Sequence, residues 1–130
     1  MTSRAVLGVA LALALGACGR GDDRAAVRSV AERFYAAARS ADRELACQQL
    51  SIETRKQLVA DEQEGCARAI GSLELEGTTV DRVDVYGLSA RVEFAHGDVV
   101  MLSDTREGWR IDAAGCRRQG PGPLDCEVEA

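Results

Sequence analysis

The spacing of apolar residues changes near Leu75, and this change most restricts the folds open to the 130-residue chain. Before that point, apolar residues recur at the three- and four-residue spacing of amphipathic helices. After it, β-branched and aromatic residues alternate with polar ones in short runs separated by glycines, which is typical of strands. A chain of this length forms one small domain. We therefore expect an α+β fold in which helices precede a sheet.

The first half of the chain predicts short amphipathic helices. The first begins near Arg24, and its apolar stripe consists of Val27, Val30, Ala31, Phe34 and Ala38. Asp42 is placed to cap a second short helix, and Ser51 to cap a third. The segment 62–73 continues at helical spacing. The apolar stripe of the first helix has to pack on something, and the sheet is the available partner.

Four strands are predicted, at 78–86, 89–95, 99–105 and 109–113. The turns between them contain Gly87, Gly97 and Gly108, and they are too short for parallel crossovers. The sheet is therefore expected to be an antiparallel meander with one buried face. Residues 115–126 contain both prolines, so we expect them to leave the sheet as a loop.

The N-terminal residues are typical of an export signal. After Arg4, the stretch 5–17 carries no charge, and its 13 residues are fewer than the about 20 that a membrane-spanning helix needs. The tetrapeptide LGAC at 15–18 resembles the lipobox of bacterial lipoproteins. The resemblance implies cleavage before Cys18 and attachment of acyl chains to its thiol. The alternative is an ordinary secretory peptide that ends near a cysteine.

These observations predict three parts: a lipoprotein signal peptide at 1–17, a lipidated Cys18 with a polar tether at 18–23, and a single α+β domain at 24–130. Two or three acyl chains would hold the protein on a membrane without a spanning helix. The expected location is the outer face of the cytoplasmic membrane. Cleavage would leave 113 residues and, because Arg4 is lost, change the net charge from -5 to -6.

Four cysteines remain once Cys18 is assigned to lipidation: Cys47, Cys66, Cys116 and Cys126. They allow three disulfide pairings, among which the sequence alone does not decide. Proximity along the chain favours Cys47 with Cys66 and Cys116 with Cys126. A structural zinc site is the competing use of four cysteines, but it is disfavoured because no C-x2-C pair is present.

The order of these elements resembles that of small lipoproteins of high-GC Gram-positive bacteria with a nuclear-transport-factor-two-like fold. The resemblance is carried by VAERFYAAARSADRELACQQL at 30–50, GWRIDAAGC at 108–116, LDC at 124–126 and the cysteines at 47 and 66. It implies a curved, cone-like, four-stranded antiparallel sheet with helices packed across it, often with a pocket in its mouth. Some relatives of that fold are isomerases or cyclases, whereas others only bind or assemble.

Three residues are candidates for lining such a pocket. His96, the only histidine, is in phase with Val92 and Phe94, but it also lies in a turn where a solvated side chain is expected. Tyr35 follows the core-facing Phe34 and could present its hydroxyl to a pocket. Trp109 is expected to anchor the core more than to bind a ligand.

Charge and composition exclude some classes of function. A net charge of -5 and an aromatic content of 4% disfavour a nucleic-acid-binding protein. Arg117 and Arg118 could contact anionic lipid, but loop charges of this kind are expected to be solvated. The acidic residues Asp61, Glu62 and Glu64 are expected to form a solvent-facing surface and not a metal site.

No catalytic constellation, cofactor motif or metal-ligand spacing is found in the sequence. The sequence therefore predicts a membrane-anchored, non-enzymatic domain of the cell envelope that binds a small ligand or an envelope protein. The alternative is a pocket enzyme of the isomerase or cyclase type. A homodimer formed through the exposed sheet face is a further expectation.

Overall fold

A computed structural model describes residues 20–130, so the predicted signal peptide and Cys18 lie outside the described residues. Four helices precede six strands. The helices are α1 (Arg20–Arg39), α2 (Arg43–Gln49), α3 (Ile52–Glu62) and α4 (Cys66–Ile70). The strands are β1 (Val80–Tyr86), β2 (Ser89–Phe94), β3 (Val99–Thr105), β4 (Gly108–Arg118), β5 (Leu124–Asp125) and β6 (Val128–Glu129). The predicted α+β arrangement, with helices followed by an antiparallel sheet, is confirmed.

The predicted apolar stripe of α1 is buried, but the helix starts four residues earlier than the sequence indicated. Arg20 to Asp23, predicted as part of a polar tether, form its first turn. Asp22 and Asp23 favour this extension because carboxylates near a helix N-terminus interact favourably with its dipole and free N–H groups.

The caps of the shorter helices agree only in part with the prediction. Ser51 caps α3, since its Oγ accepts a hydrogen bond from the backbone N–H of Thr54 at 3.3 Å. Asp42 occupies the N-cap position of α2, but its side chain makes no capping hydrogen bond. The predicted continuous helical segment at 62–73 is wrong. Gln63 adopts a left-handed conformation (φ 54°) that ends α3, and α4 is a separate helix.

The sheet follows the order β1-β2-β3-β4-β5, and β6 also pairs with β4. The four predicted strands are present, but the sheet has six strands instead of the expected four, and the expected loop at 115–126 is wrong in two respects. Strand β4 runs on to Arg118, and Leu124–Asp125 returns antiparallel to it, so the prolines lie in a hairpin connection. Strand β6 adds a further pairing at Ala113 and Ala114.

Helix α1 and the inward face of the sheet form one apolar core, which includes Phe34, Val92, Leu102 and Ile111. The favoured disulfide pairing is confirmed: Cys47 bonds to Cys66, and Cys116 bonds to Cys126. The first disulfide joins α2 to α4, and the second closes the β4–β5 hairpin.

Candidate functional site

A cleft of about 510 Å³ lies between the beginning of α3 and the outward face of the β3–β4 hairpin. Its lining residues come from three places in the chain: the start of α3, the hairpin with its turn, and the C-terminal end. They are Ser51, Ile52, Glu53, Ser103, Thr105, Arg106, Glu107, Arg110, Asp112 and Ala130. Ligand sites in proteins have volumes of this size and combine an apolar lining with a few polar groups.

Hydrogen bonds fix the helical wall of this cleft to the sheet. The backbone N–H of Ser51 donates to the carbonyl of Ile111 at 2.8 Å. The Thr54 hydroxyl donates to the carbonyl of Asp112 at 2.9 Å, and Thr54 is fully buried. These two hydrogen bonds therefore fix the start of α3 against β4. This leaves Ile52 projecting with 57% of its surface exposed at the cleft.

The polar groups of the cleft carry both charges. Arg106 and Arg110 supply guanidinium groups, and Glu53, Glu107 and Asp112 supply carboxylates. The Arg110 Nη1 donates to the carbonyl of Trp109 at 2.9 Å, which holds this side chain against its own strand. The cleft therefore combines the exposed Ile52 side chain with hydrogen-bond donors and acceptors, which suits a molecule with an apolar body and a polar group.

A second concave surface, of about 450 Å³, is lined by residues of α3 alone: Ile52, Arg55, Lys56, Val59 and Ala60. Within α3, Leu58 is buried, whereas the adjacent Val59 is 37% exposed. Ile52 belongs to both concave surfaces, while Val59 belongs only to the second.

The most buried polar cluster of the described residues centres on Asp98, whose exposed fraction is zero. The Tyr35 hydroxyl and the backbone N–H of Glu76 donate to its Oδ2, at 2.9 Å and 2.8 Å. The Arg117 Nε donates to its Oδ1 at 2.9 Å. Asp98 thus joins α1, the segment before β1 and the end of β4.

The Tyr35 hydroxyl is fully buried and bonded within this cluster, so it is not presented to a ligand. Its oxygen donates to Asp98 and accepts from the backbone N–H of Gly115 at 3.0 Å. Burial, followed by the charge of Asp98, raises the pKa of the Tyr35 phenol above its ordinary value. The phenol stays protonated at neutral pH and acts as a structural donor.

Gly115 can approach Tyr35 because β4 bulges at this point. Its φ of 65° is in the left-handed region, and a Cβ there would lie 2.7 Å from the Cβ of Glu127. Between its partners opposite Val99 and Met101, β4 holds one extra residue. The bulge leaves the Gly115 N–H free to reach the Tyr35 oxygen.

The structure places the predicted pocket residues apart from the cleft. Tyr35 and Trp109 are buried side chains of the core, and His96 is exposed in the β2–β3 turn with a φ of 53°. None of the three lines either concave surface described above. The sequence placed Tyr35 beside the core-facing Phe34 and predicted that its hydroxyl could face a pocket, whereas the hydroxyl donates to the buried carboxylate of Asp98.

The prediction that Arg117 is solvated is wrong. Its side chain is 30% exposed and forms an ion pair with Asp98, and a second guanidinium nitrogen donates to the carbonyl of Glu74. Arg118 is exposed, as expected. Asp61 and Glu62 are also exposed, and Glu64 is half-buried. Within residues 20–130, no three His, Cys, Asp or Glu side chains are arranged to hold a metal ion.

Comparisons with known proteins give no relative for this chain: no family model, no curated protein and no solved structure matches it. Among the helices of the described residues, none combines the length and the apolar character needed to cross a bilayer.

Proposed function

We propose that this chain is a lipid-anchored, extracytoplasmic domain of the cell envelope that binds a small molecule in the cleft between α3 and the β3–β4 hairpin. The cleft is the observation that carries the proposal. Its volume of about 510 Å³ suits a small organic molecule, and Ile52 and the charged groups of the hairpin offer both apolar and polar contacts. A nuclear-transport-factor-two-like fold, which the sequence resembles, is part of the same proposal.

Two further observations support the extracytoplasmic location. Cys47, Cys66, Cys116 and Cys126 all form disulfides, which persist mainly in oxidising compartments. The remaining cysteine is Cys18, which stands in the LGAC tetrapeptide. Lipidation of Cys18 therefore accounts for the odd number of cysteines.

The isomerase or cyclase alternative receives less support from the geometry. Proton transfer of that type needs a carboxylate base and a phenol donor that both face a cavity. Tyr35 and Asp98 form the buried phenol–carboxylate pair of the described residues, but their hydrogen-bonding groups are occupied by each other, Arg117, Glu76 and Gly115. Binding without chemistry is therefore the function that we propose.

Ligand binding is tested by native mass spectrometry of the chain purified from the membrane of its own cells. We expect a small-molecule adduct that disappears on denaturation. Ile52→Glu adds a carboxylate beside Glu53, Glu107 and Asp112, so the adduct is expected to fall at least tenfold, which corresponds to about 1.4 kcal/mol of binding free energy.

Val59→Glu is the matched control for this experiment. It places the same carboxylate on the same helix, but Val59 does not line the cleft. The adduct should be retained in this variant. Absence of any adduct from the unaltered protein, or equal loss in both variants, would contradict binding in the cleft.

Lipid anchoring predicts a separate result for Cys18→Ser. The change removes the thiol that would carry the acyl chains, so the protein is expected to move from the membrane fraction to the soluble fraction. Each buried methylene of an acyl chain contributes about 0.8 kcal/mol to membrane binding, and the two or three chains proposed for Cys18 together give stable anchoring. Fractionation with quantitative immunoblotting measures the change.

The control is Ser72→Ala, which alters an exposed side chain far from Cys18 in the sequence and should leave the protein in the membrane fraction. A denaturing mass spectrum of the unaltered chain should show the added mass of the acyl chains. Retention in the membrane fraction of a Cys18→Ser chain whose mass shows that residues 1–17 have been removed would refute anchoring through this residue.

A further inference from the structure

Two hairpin turns and the start of α1 meet at one end of the sheet. Strand β1 leads into the turn Gly87–Leu88, and β3 leads into the turn Arg106–Glu107. We call these two turns, together with Tyr86, the hairpin end. The two turns are adjacent, since the backbone N–H of Asp104 donates to the carbonyl of Leu88 at 2.8 Å. The opposite end of the sheet holds the β2–β3 turn with His96 and Gly97.

The hairpin end carries the two most exposed large apolar side chains of the described residues. Leu88 is 70% exposed and Tyr86 is 64% exposed. Neither belongs to the core or to the apolar residues packed against it. Tight turns favour Gly, Asn, Asp and Ser, so a leucine at this position is not required by the backbone. These two side chains have no role in the packing of the described residues.

The start of α1 places the predicted anchor close to this end. The Trp109 Nε1 lies 3.5 Å from the Oδ1 of Asp23, in the first turn of α1, and Trp109 pairs with Asp104 across β3 and β4. Only Gly19 separates Cys18 from Arg20, so the backbone between them spans at most about 7 Å. Chain length alone therefore links Cys18 closely to the start of α1, whose first turn lies against Trp109 at this end of the sheet.

We propose that Tyr86 and Leu88 insert into the interfacial layer of the bilayer that holds the acyl chains of Cys18, which orients the domain with its hairpin end toward the membrane. This inference rests on the proposed lipid anchor. Tyrosine suits the interface because its ring is apolar and its hydroxyl is polar. The anchor keeps the turn near the surface, so a weak contact by two side chains is sufficient to orient the domain.

The charges of this end indicate which lipids the contact uses. The exposed charged residues of this end are Asp22 and Arg24 of α1 and Asp104, Arg106 and Glu107 of the β3–β4 hairpin, so basic and acidic groups are mixed. An attraction to anionic headgroups is therefore not expected. The contact should form on neutral phosphatidylcholine and should depend little on salt.

The proposal is tested on the lipidated chain reconstituted in phosphatidylcholine nanodiscs that contain a lipid with a nitroxide on its headgroup. Paramagnetic broadening of the amide resonances reports distance from the membrane surface. We expect broadening at Gly87 and Leu88 that is at least five times the broadening at His96 and Gly97. In the double variant Tyr86→Ser, Leu88→Ser, this ratio is expected to fall at least threefold.

Val59→Ser is the matched control, because it removes an exposed apolar side chain from α3 and should leave the ratio unchanged. Equal broadening at both ends of the sheet, or an unchanged ratio in the double variant, would overturn the proposal. A denaturing mass spectrum of the same sample shows independently whether the protein carries the added mass of the acyl chains. If no acyl chains are found, the proposed lipid anchor is wrong. The chain is then attached to the nanodisc through a maleimide lipid that reacts with the Cys18 thiol, since the other four cysteines form disulfides. The broadening ratio of this sample still tests whether the hairpin end contacts the membrane.

Discussion

Replacing Asp98 with asparagine is expected to lower the free energy of unfolding by about 3 kcal/mol. The carboxylate accepts three hydrogen bonds, from Tyr35, Glu76 and Arg117. In asparagine, an NH2 group that donates replaces one of the two carboxylate oxygens. At least one of the three donor groups then faces this NH2 group instead of an acceptor. This value is at the lower end of the losses of unfolding free energy that follow from breaking a buried ion pair. The lower end applies because the Arg117 side chain is 30% exposed.

Asp84→Asn is the matched control for this prediction. Asp84 also pairs with an arginine, at 2.7 Å, but the Arg82 side chain is 63% exposed. Exposed ion pairs contribute about 1 kcal/mol or less, so this variant should unfold close to the unaltered chain. Urea unfolding followed by circular dichroism measures both, on chains that carry Cys18→Ser to remove the anchor.

Tyr35→Phe separates the hydrogen bond from the ion pair. It removes one donor to Asp98 and the acceptor for the Gly115 N–H, while Arg117 keeps its partner. The loss of unfolding free energy in Tyr35→Phe should be smaller than that in Asp98→Asn, about 1 to 2 kcal/mol.

A similar urea midpoint for Asp98→Asn and Asp84→Asn would show that Asp98 does not hold α1, the segment before β1 and the end of β4 together.

The sequence predicted the parts of the fold that depend on local spacing. The stripe from Val27 to Ala38 is buried because a helix brings residues three and four apart to one face. The glycine-containing turns fix the antiparallel order of β1 to β4, because short connections allow only neighbouring strands. The disulfide pairing followed from proximity, since both pairs close short loops.

The local spacing of residues could not predict the features that depend on contacts between segments far apart in the sequence. Asp98 directly follows the turn residues His96 and Gly97, and nothing in its sequence neighbourhood indicates burial, while Arg117 was expected to be solvated. They meet because the β4 bulge at Gly115 and the segment at Glu76 approach the same point. A bulge of one residue leaves no clear periodic signal, although a glycine within the run 108–118 is a local sign of irregular pairing.

The cleft was missed for a related reason. Its walls come from α3, the β3–β4 hairpin and Ala130, which no motif links along the chain. Ile52 was the available signal, because an isoleucine directly after the cap Ser51 falls outside the buried side of α3. The expected pocket at Tyr35, His96 and Trp109 instead followed from the fold resemblance, which says nothing about which side chains fill a given core.

Removing the Cys47–Cys66 disulfide by Cys47→Ala with Cys66→Ala is expected to cost about 3 kcal/mol of unfolding free energy. The cysteines are 19 residues apart, and both side chains are buried, so the change frees the unfolded chain and also removes packing between α2 and α4. Cys116→Ala with Cys126→Ala is the matched control. That pair is 10 residues apart, and the β4–β5 pairing still closes its hairpin. We expect a loss about 0.5 kcal/mol smaller there, because the shorter loop restricts the unfolded chain less, and the same or a larger loss would contradict the ranking.

The two disulfides also differ in what their removal should do to the cleft. The loop closed by Cys47 and Cys66 contains all of α3, which supplies Ile52 and Glu53 to the cleft wall. Cys116 lies four residues from the lining residue Asp112, and Cys126 lies four residues from the lining residue Ala130, but the pairing of β6 with β4 holds this end in place without the disulfide. Loss of the first disulfide should therefore loosen α3 and reduce the native adduct at least threefold under conditions where the domain stays folded. Loss of the second should leave the adduct unchanged, and the reverse result would place the ligand away from α3.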